Sequence, residues 1–402
     1  MGKVPERLRD TNAKPTIWVH AVSVGEVLAV SGLIKELRSR FSGYRIVVST
    51  TTGTGQRLAR ERFGADNVFY FPLDFASAIR PYLQALQPKV VLLAETEFWP
   101  NFLRLAKASG AKIAVVNARI SDRSWPGYRW ARPLLGKMLA RVDLFLAQTE
   151  EDRERLIDIG ARAERVEVTG NLKFDVAPPS PPPIVASLRA ALHNAGAGPV
   201  LIAGSTMQGE EPLLLRAFEI LRGSHPRAVL ILAPRHPQRF QEVADLVASL
   251  GIVCWRRSLW SGEDLGGCVL LLDSIGELAA VYALGHLAFV GGSLSEHGGH
   301  NILEPAQYGV PILVGPHYEN FRDIVNLFRA ADAIRVVGPA ELPLCVVELL
   351  SHEVDRSELA RRALATVRAQ TGATQRTLER LAAWLSPETI ARTTEVSVPP
   401  IV

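Results

Sequence analysis

Cysteine is nearly missing: three in 402 residues, Cys254, Cys268 and Cys345, far apart and with no C-x-x-C pair. That excludes a disulfide scaffold, a zinc ribbon and a thioredoxin motif, and it fits a reducing compartment. Long hydrophobic runs are also lacking. Runs such as residues 90–94 and 269–272 fall far below the ~18 residues of a bilayer-crossing helix, and Met1 is not followed by the apolar core of a signal peptide. Charge of one sign is not in excess either. Forty-five Lys and Arg against 41 Asp and Glu leave +4, too small and too dispersed to mark a duplex binder, so no nucleic-acid partner is expected. No short-period repeat occurs, which removes a solenoid. What is present is ordinary for a folded chain: 48% hydrophobic and 21% charged residues exclude a disordered tail or a fibre. At roughly 100–200 residues per domain, the length calls for two domains or three.

Short Val/Ile/Leu runs alternate with amphipathic stretches, the pattern of parallel strands covered on both faces by helices, so the class is α/β. Strands are expected at residues 17–22, 44–49, 90–94, 112–117 and 144–147. A second series is expected at 199–203, 228–233, 269–272, 287–290 and 312–314. Between the series, residues 177–183 read Ala-Pro-Pro-Ser-Pro-Pro-Pro, a stiff connector that neither donates to a ladder nor continues a helix. Both halves open alike, with an apolar strand, a turn of small residues and an acidic residue starting a helix: WVHAVSVGEVLA and VLIAGSTMQGEEPLLL. Two doubly wound domains whose strand carboxyl ends meet a shared ligand cleft are expected.

Two phosphate motifs fail. Gly53-Thr54-Gly55 follows a strand, but Leu58 stands at the third glycine position; residues 204–209 have Walker spacing, but Glu210 and Glu211 stand where Lys and Ser/Thr belong. Neither a nicotinamide cofactor nor ATP hydrolysis is favoured. The richest segment is GGSLSEHGGHNILEPAQYG, residues 291–309. Its glycine amides and a helix starting near Asn301 make a metal-free phosphate site, with Glu304 one turn in, placed to accept ribose hydroxyls. The plainer alternative is a glycine-rich turn with a solvated Glu. His297 and His300 have no third ligand at helical spacing, which argues against zinc.

Arg235 and His236 end another strand, a cation and an imidazole suited to a leaving phosphate. Ser274, Gly276 and Glu277 follow a buried strand, either reading a base edge or forming a capping box between Ser274 and Glu277. In the first half, Glu26 stands in the first turn of a helix, whose positive end is expected to keep it ionised and able to take a proton from an alcohol. Glu95 and Glu97 supply further carboxylates after the strand VVLLA. Residues 119–141 interleave Arg119, Arg123, Arg129, Arg132, Lys137 and Arg141 with Trp125, Tyr128 and Trp130, which suits an anionic amphiphile or membrane interface; an ordinary amphipathic connection is the alternative.

Taken in order, HAVSVGE, AETEFWPN, NARISDRS, GNLKFD, APRHPQRF and GGSLSEHGGHNILEPAQYG make residues 18–385 resemble the Kdo transferase family, the 3-deoxy-D-manno-octulosonic acid transferases of lipopolysaccharide assembly. The resemblance implies the glycosyltransferase-B fold. An acceptor domain would span residues 1–176, a linker 177–183 and a CMP-Kdo domain 184–371; residues 372–402 would be a helix returning to the first domain at 375–385, and a tail. It places the general base on Glu26 and a second acidic motif on Glu95 and Glu97. It places the nucleotide site on Arg235, His236, Ser274, Gly276, Glu277, Ser293, Asn301 and Glu304. The implied reaction inverts configuration and needs no metal or other cofactor. The partners are CMP-Kdo and an anionic lipid A precursor at the cytoplasmic face of the bacterial inner membrane. Family members usually begin with a hydrophobic anchor, whereas this sequence starts near where such an anchor would end, so either the anchor has been trimmed off or attachment is peripheral, through the basic segment. Lys173 would neutralise the Kdo carboxylate or form a structural ion pair. A UDP-sugar transferase or epimerase of the same fold, and a non-catalytic anionic-lipid-binding protein, are the competing readings.

Overall fold

A computed structural model describes residues 4–9, 14–122, 124–178 and 180–385. The chain forms two compact units, Met1–Ala177 with Gln370–Val402, and Pro178–Ala369. Arg123 and everything beyond residue 385, including the expected tail, lie outside the described residues.

The first unit is built on seven parallel strands: β1 (Thr16–His20), β2 (Arg45–Thr50), β3 (Val68–Tyr70), β4 (Pro88–Ala94), β5 (Lys112–Ala118), β6 (Leu144–Ala147) and β7 (Val166–Val168). Their order is β3-β2-β1-β4-β5-β6-β7. β1 is buried along its whole length because helices cover both faces, so its residues alternate between two cores rather than between core and water. Trp18, Val47, Val91 and Val115 enter one core; Ile17, Val19, Val48 and Val116 enter the other. Trp18 is fully buried against Phe69, Phe71, Tyr82 and Phe102. The helix Val24–Arg40 presents Val27, Val30, Ile34 and Leu37 to the second core at the three- and four-residue spacing of one helical face. The helix Ala373–Leu385 completes that core with Leu378, Leu381 and Leu385. Asp175 accepts the Gly372 and Thr374 amides at its start, and Arg376 donates to the Thr169 carbonyl at 2.8 Å.

The second unit repeats the plan with β8 (Val200–Thr206), β9 (Val229–Pro234), β10 (Cys254–Arg256), β11 (Val269–Leu271), β12 (Leu287–Val290), β13 (Ile312–Val314) and β14 (Arg335–Val336), all parallel, in the order β10-β11-β9-β8-β12-β13-β14. Pro183 opens the helix Pro183–Asn194 rather than closing the linker, since proline suits the first helical position.

Sequence patterning finds ten of these strands and misses β3, β7, β10 and β14. The four missed strands are the outermost of each sheet. An edge strand pairs on one side only and is two or three residues long here, with partly exposed positions, so it lacks the apolar run that marks a buried strand. In both sheets the strand order reverses beside the first strand, between β1 and β4 and between β8 and β12. In open parallel sheets, ligands bind at such points, outside the strands' carboxyl ends.

Candidate active site

At the reversal point of the first sheet, β1 runs through Ala21 and Val22 to Ser23, which caps the helix Val24–Arg40. Glu26, third in that helix, reaches back: its Oε2 accepts from the Val22 amide at 2.8 Å and its Oε1 from the Ser23 hydroxyl at 2.9 Å. This is a capping box in which the acid is only 8% exposed. Burial raises the Glu26 carboxyl from 4.5 to about 7. The Val22 amide opposes that rise, and the charges of Glu95 and Glu97 add to it. The expectation that the helix end keeps Glu26 ionised is therefore corrected. Desolvation by burial outweighs the bonds at the helix start, and the group exchanges its proton near neutrality.

Glu95 and Glu97 enter from the neighbouring strand end. Glu95, just beyond β4, holds a left-handed backbone at φ 55° while its amide donates to Val116. Its carboxylate pairs with Lys173 at 3.0 Å, so of the two readings of Lys173 the structure forms the ion pair. Glu97 accepts from the Trp99 indole at 3.0 Å, and burial raises its carboxyl.

Two residues that motif reasoning left unassigned share this sheet edge. Asn117 also sits at φ 55°, is fully buried, and accepts the Leu172 amide at 2.9 Å; its Nδ2 has no partner among the described residues. His20 is buried and stacked on Phe71 at 4.0 Å. Burial lowers its pKa to about 4, and its Nε2 has no partner among the described residues. Left-handed non-glycine residues and unpaired buried polar atoms gather at working sites. Sequence carries a weak signal for both, His20 as the first residue of HAVSVGE and Asn117 as the first residue of NARISDRS.

In the second unit Arg235 and His236 follow β9 and are exposed. His300, in the glycine-rich loop, is lowered to about 4 by burial and then by the charges of Arg235, His236 and His297. The arrangement brings the loop after β9 against the glycine loop. Glu304 is raised by burial, with Asn301 (3.4 Å) and Arg235 opposing. Asn301 accepts the Leu303 amide at 3.1 Å from one residue before the cap position, and the helix Leu303–Ala306 begins two residues later than expected.

Ser274 donates to Glu277, and Arg257 pairs with Glu277 at 2.7 Å. The following helix starts only at Leu278 with no side-chain cap, so the expected capping box does not form. Gly276 is exposed at φ 88°. Ser293 is fully buried, its hydroxyl donating to Val290 and accepting the Gly315 amide.

The expected phosphate cradle needs correction. The amides of Gly292, Ser293 and Leu294 point at a resident anion, the carboxylate of Glu210, at 2.8–2.9 Å. Beside it Glu211, also buried, takes the Thr206 hydroxyl at 2.8 Å and both ends of the Arg239 guanidinium at 2.7 and 3.1 Å. The sequence marks these two acids as a helix start like that of the first half and as a failed Walker motif, but not as partners of the glycine loop or of Arg239. Among the described residues no group of three or more His, Cys, Asp or Glu is arranged to hold a metal ion.

The basic segment divides. Trp125 is tied inward: it lies under Arg129 and Arg155, its indole donates to Asp158 at 3.2 Å, and Arg129 pairs with Asp158. Arg119 is half-buried, its carbonyl accepting from Thr96. Arg132 is exposed, and Trp130 and Leu134 are 89% and 75% exposed.

Residues 2–176 match the family described as 3-deoxy-D-manno-octulosonic-acid transferase (kdotransferase). A 3-deoxy-D-manno-octulosonic acid transferase of Bordetella pertussis is 39% identical over 382 residues, 92% of this chain and 87% of that protein. One of Haemophilus influenzae is 34% identical over 374 residues, again 92% and 87%. In structure the chain is similar to the UDP-GlcNAc 2-epimerase of Neisseria meningitidis, with a TM-score of 0.60 and 15% identity, covering 92% of this chain and 100% of the other. At that identity the likeness speaks for the two-unit glycosyltransferase-B fold alone.

Proposed function

Because this chain belongs to the 3-deoxy-D-manno-octulosonic acid transferase family, we propose that it moves Kdo from CMP-Kdo to a hydroxyl of an anionic lipid A precursor, in lipopolysaccharide core assembly at the cytoplasmic face of the bacterial inner membrane. The observation that carries the reading is Glu26, a buried carboxyl at the reversal point of the first sheet whose pKa of about 7 suits a general base.

Glu26 takes the proton of the acceptor hydroxyl as that oxygen bonds to the anomeric carbon of Kdo, on the face opposite CMP. The bond from that carbon to the phosphate oxygen breaks, CMP leaves with the electron pair, and configuration inverts. Burial holds the proton affinity of Glu26 up, the charges of Glu95 and Glu97 add to it, and Lys173 anchors Glu95. In the second unit Arg235 and His236 meet the charge that grows on the departing phosphate, so the reaction runs without a metal ion. Glu304 accepts ribose hydroxyls, Ser274, Gly276 and Glu277 lie along the base, and Ser293 and Asn301 shape the loop. Trp130, Arg129 and Arg132 face the anionic membrane.

Calorimetry with CMP and UDP, together with an assay of CMP release from CMP-Kdo, tests the reading. CMP should bind at least about tenfold more tightly than UDP, release should require acceptor, and turnover should survive excess EDTA. A preference for UDP moves the assignment to a UDP-sugar enzyme of the same fold, and loss of turnover in EDTA overturns the metal-free reaction. Binding to anionic vesicles with no turnover overturns the enzyme.

A further inference from the structure

The two units place an acidic residue at the same point of the same plan: after the first strand, in the first turn of the next helix, where the strand order reverses. In the first unit that residue is Glu26. In the second it is Glu210, which opens the helix Glu210–Ser224 after β8 and is 1% exposed. Its surroundings differ in kind. Glu210 Oε2 accepts from Met207 and Gly292, and Oε1 from Ser293 and Leu294, four amides at 2.8–2.9 Å. Three successive amides turned to one side form a concavity that takes an anion, and here a side chain of the protein fills it.

The glycines fit this arrangement. Gly292 has φ 69°, which turns its amide toward the carboxylate, and a Cβ there would meet His300 at 2.9 Å. A Cβ on Gly291 would fall 2.5 Å from the Ser205 carbonyl oxygen and 2.8 Å from Glu210 Oε2. The loop is therefore wrapped on the carboxylate and needs no ligand to take its shape. The adjacent Glu211 does the same for the loop after β9, holding Arg239 three residues past His236.

We propose that Glu210 is a positioning residue for the nucleotide-sugar donor. Its carboxylate preforms the loop from Gly291 onward, so that the loop's later residues, His300, Asn301 and Glu304, stand in place before the donor arrives, and the donor phosphate does not occupy the amides of residues 292–294. The proposal rests on the reading of the second unit as the donor-binding unit.

The first experiment uses the unaltered protein: backbone amide hydrogen exchange with and without CMP. The amides of Gly292, Ser293 and Leu294 should exchange as slowly as those of β12 when no nucleotide is present. Exchange at loop rates until CMP is added would make the phosphate their partner and overturn the proposal.

The second is Glu210→Gln, whose amide group sets a donor against donors. Exchange at residues 291–301 should speed up by about tenfold or more while β8, β9 and β12 keep their protection. CMP affinity should fall by about tenfold or more. The donor KM should rise by a similar factor with kcat at saturation within about threefold of the parent, and Glu210→Asp should recover part of the loss. A variant with a lower melting temperature but CMP affinity within about twofold of the parent gives Glu210 a purely structural part and overturns the proposal. If Glu210→Gln does not fold, the exchange of the unaltered protein decides. A parent that does not bind CMP overturns the donor reading instead, a result distinct from a parent that binds CMP and a variant that binds it equally well.

Discussion

At Glu26 a helix cap and the proposed proton acceptor share one carboxyl group. The cap keeps the side chain folded back on Val22 and Ser23, and burial keeps its proton affinity near that of a neutral solution. Activity through this base needs the ionised form, so kcat/KM should fall below about pH 7, approaching a tenfold loss per unit. Stability has the opposite sign. The folded carboxyl is raised above its ordinary 4.5, so the folded state holds a proton that the unfolded chain has released, and stability falls as pH rises from about 4.5 to about 7. Glu26→Gln should therefore reduce turnover by about 10² or more, keep CMP affinity, and gain melting temperature relative to the parent as pH rises from about 4.5 to about 7, with no further gain above that. Initial rates across pH and thermal melts of both proteins check this; near-normal turnover would move the base to Glu95 or Glu97.

Two residues of the second unit should fail differently. On the roles proposed above, Glu304→Ala removes the proposed ribose partner, a contact equal in ground and transition states, and should raise donor KM with kcat little changed. Arg235→Ala removes the charge proposed to meet the leaving phosphate, and should lower kcat. Steady-state kinetics with CMP-Kdo as the varied substrate separate the two, and equal effects on KM alone would dissolve the distinction.

Among elements, the pair of short helices Trp125–Trp130 and Arg132–Leu139 is where sequence and structure part most instructively. By composition Trp125 and Trp130 look equivalent. Packing separates them, because Trp125 is stacked under two guanidinium groups and bonded to Asp158 while Trp130 stands 89% exposed. Replacing Arg129, Trp130 and Arg132 together should reduce sedimentation with anionic liposomes by about tenfold or more, since each cation near such a surface contributes about 1 kcal/mol. Binding of the parent should weaken steeply with salt, and CMP affinity should be unchanged because the donor loops belong to the other unit. A variant that sediments like the parent leaves the segment as a solvated face. Among the described residues no helix is long and apolar enough to cross a membrane.

Over the whole molecule, the α/β class, the two strand series and the proline-rich stretch between the units were legible in the residues. A strand covered on both faces must be apolar throughout, and a run of prolines can be neither strand nor helix interior. The edge strands were illegible for the converse reason. Local chemistry did not settle the caps: the spacing of three that suggested a capping box at Ser274 and Glu277 forms none, while Ser23 and Glu26 at the same spacing do exchange hydrogen bonds. Long-range chemistry was out of reach. That Glu210 serves amides 82–84 residues away, and that Lys173 pairs with Glu95, depend on which strand lies beside which. No pattern in the glycine loop distinguishes amides waiting for a phosphate from amides already holding a carboxylate. The sequence by itself determined which residues could carry the chemistry, because residue type and spacing set what a side chain can donate, accept or ionise. Only the tertiary structure decided how those side chains are partnered and which way burial moves their proton affinities, because desolvation and partnership arise from the packing of segments far apart in the chain.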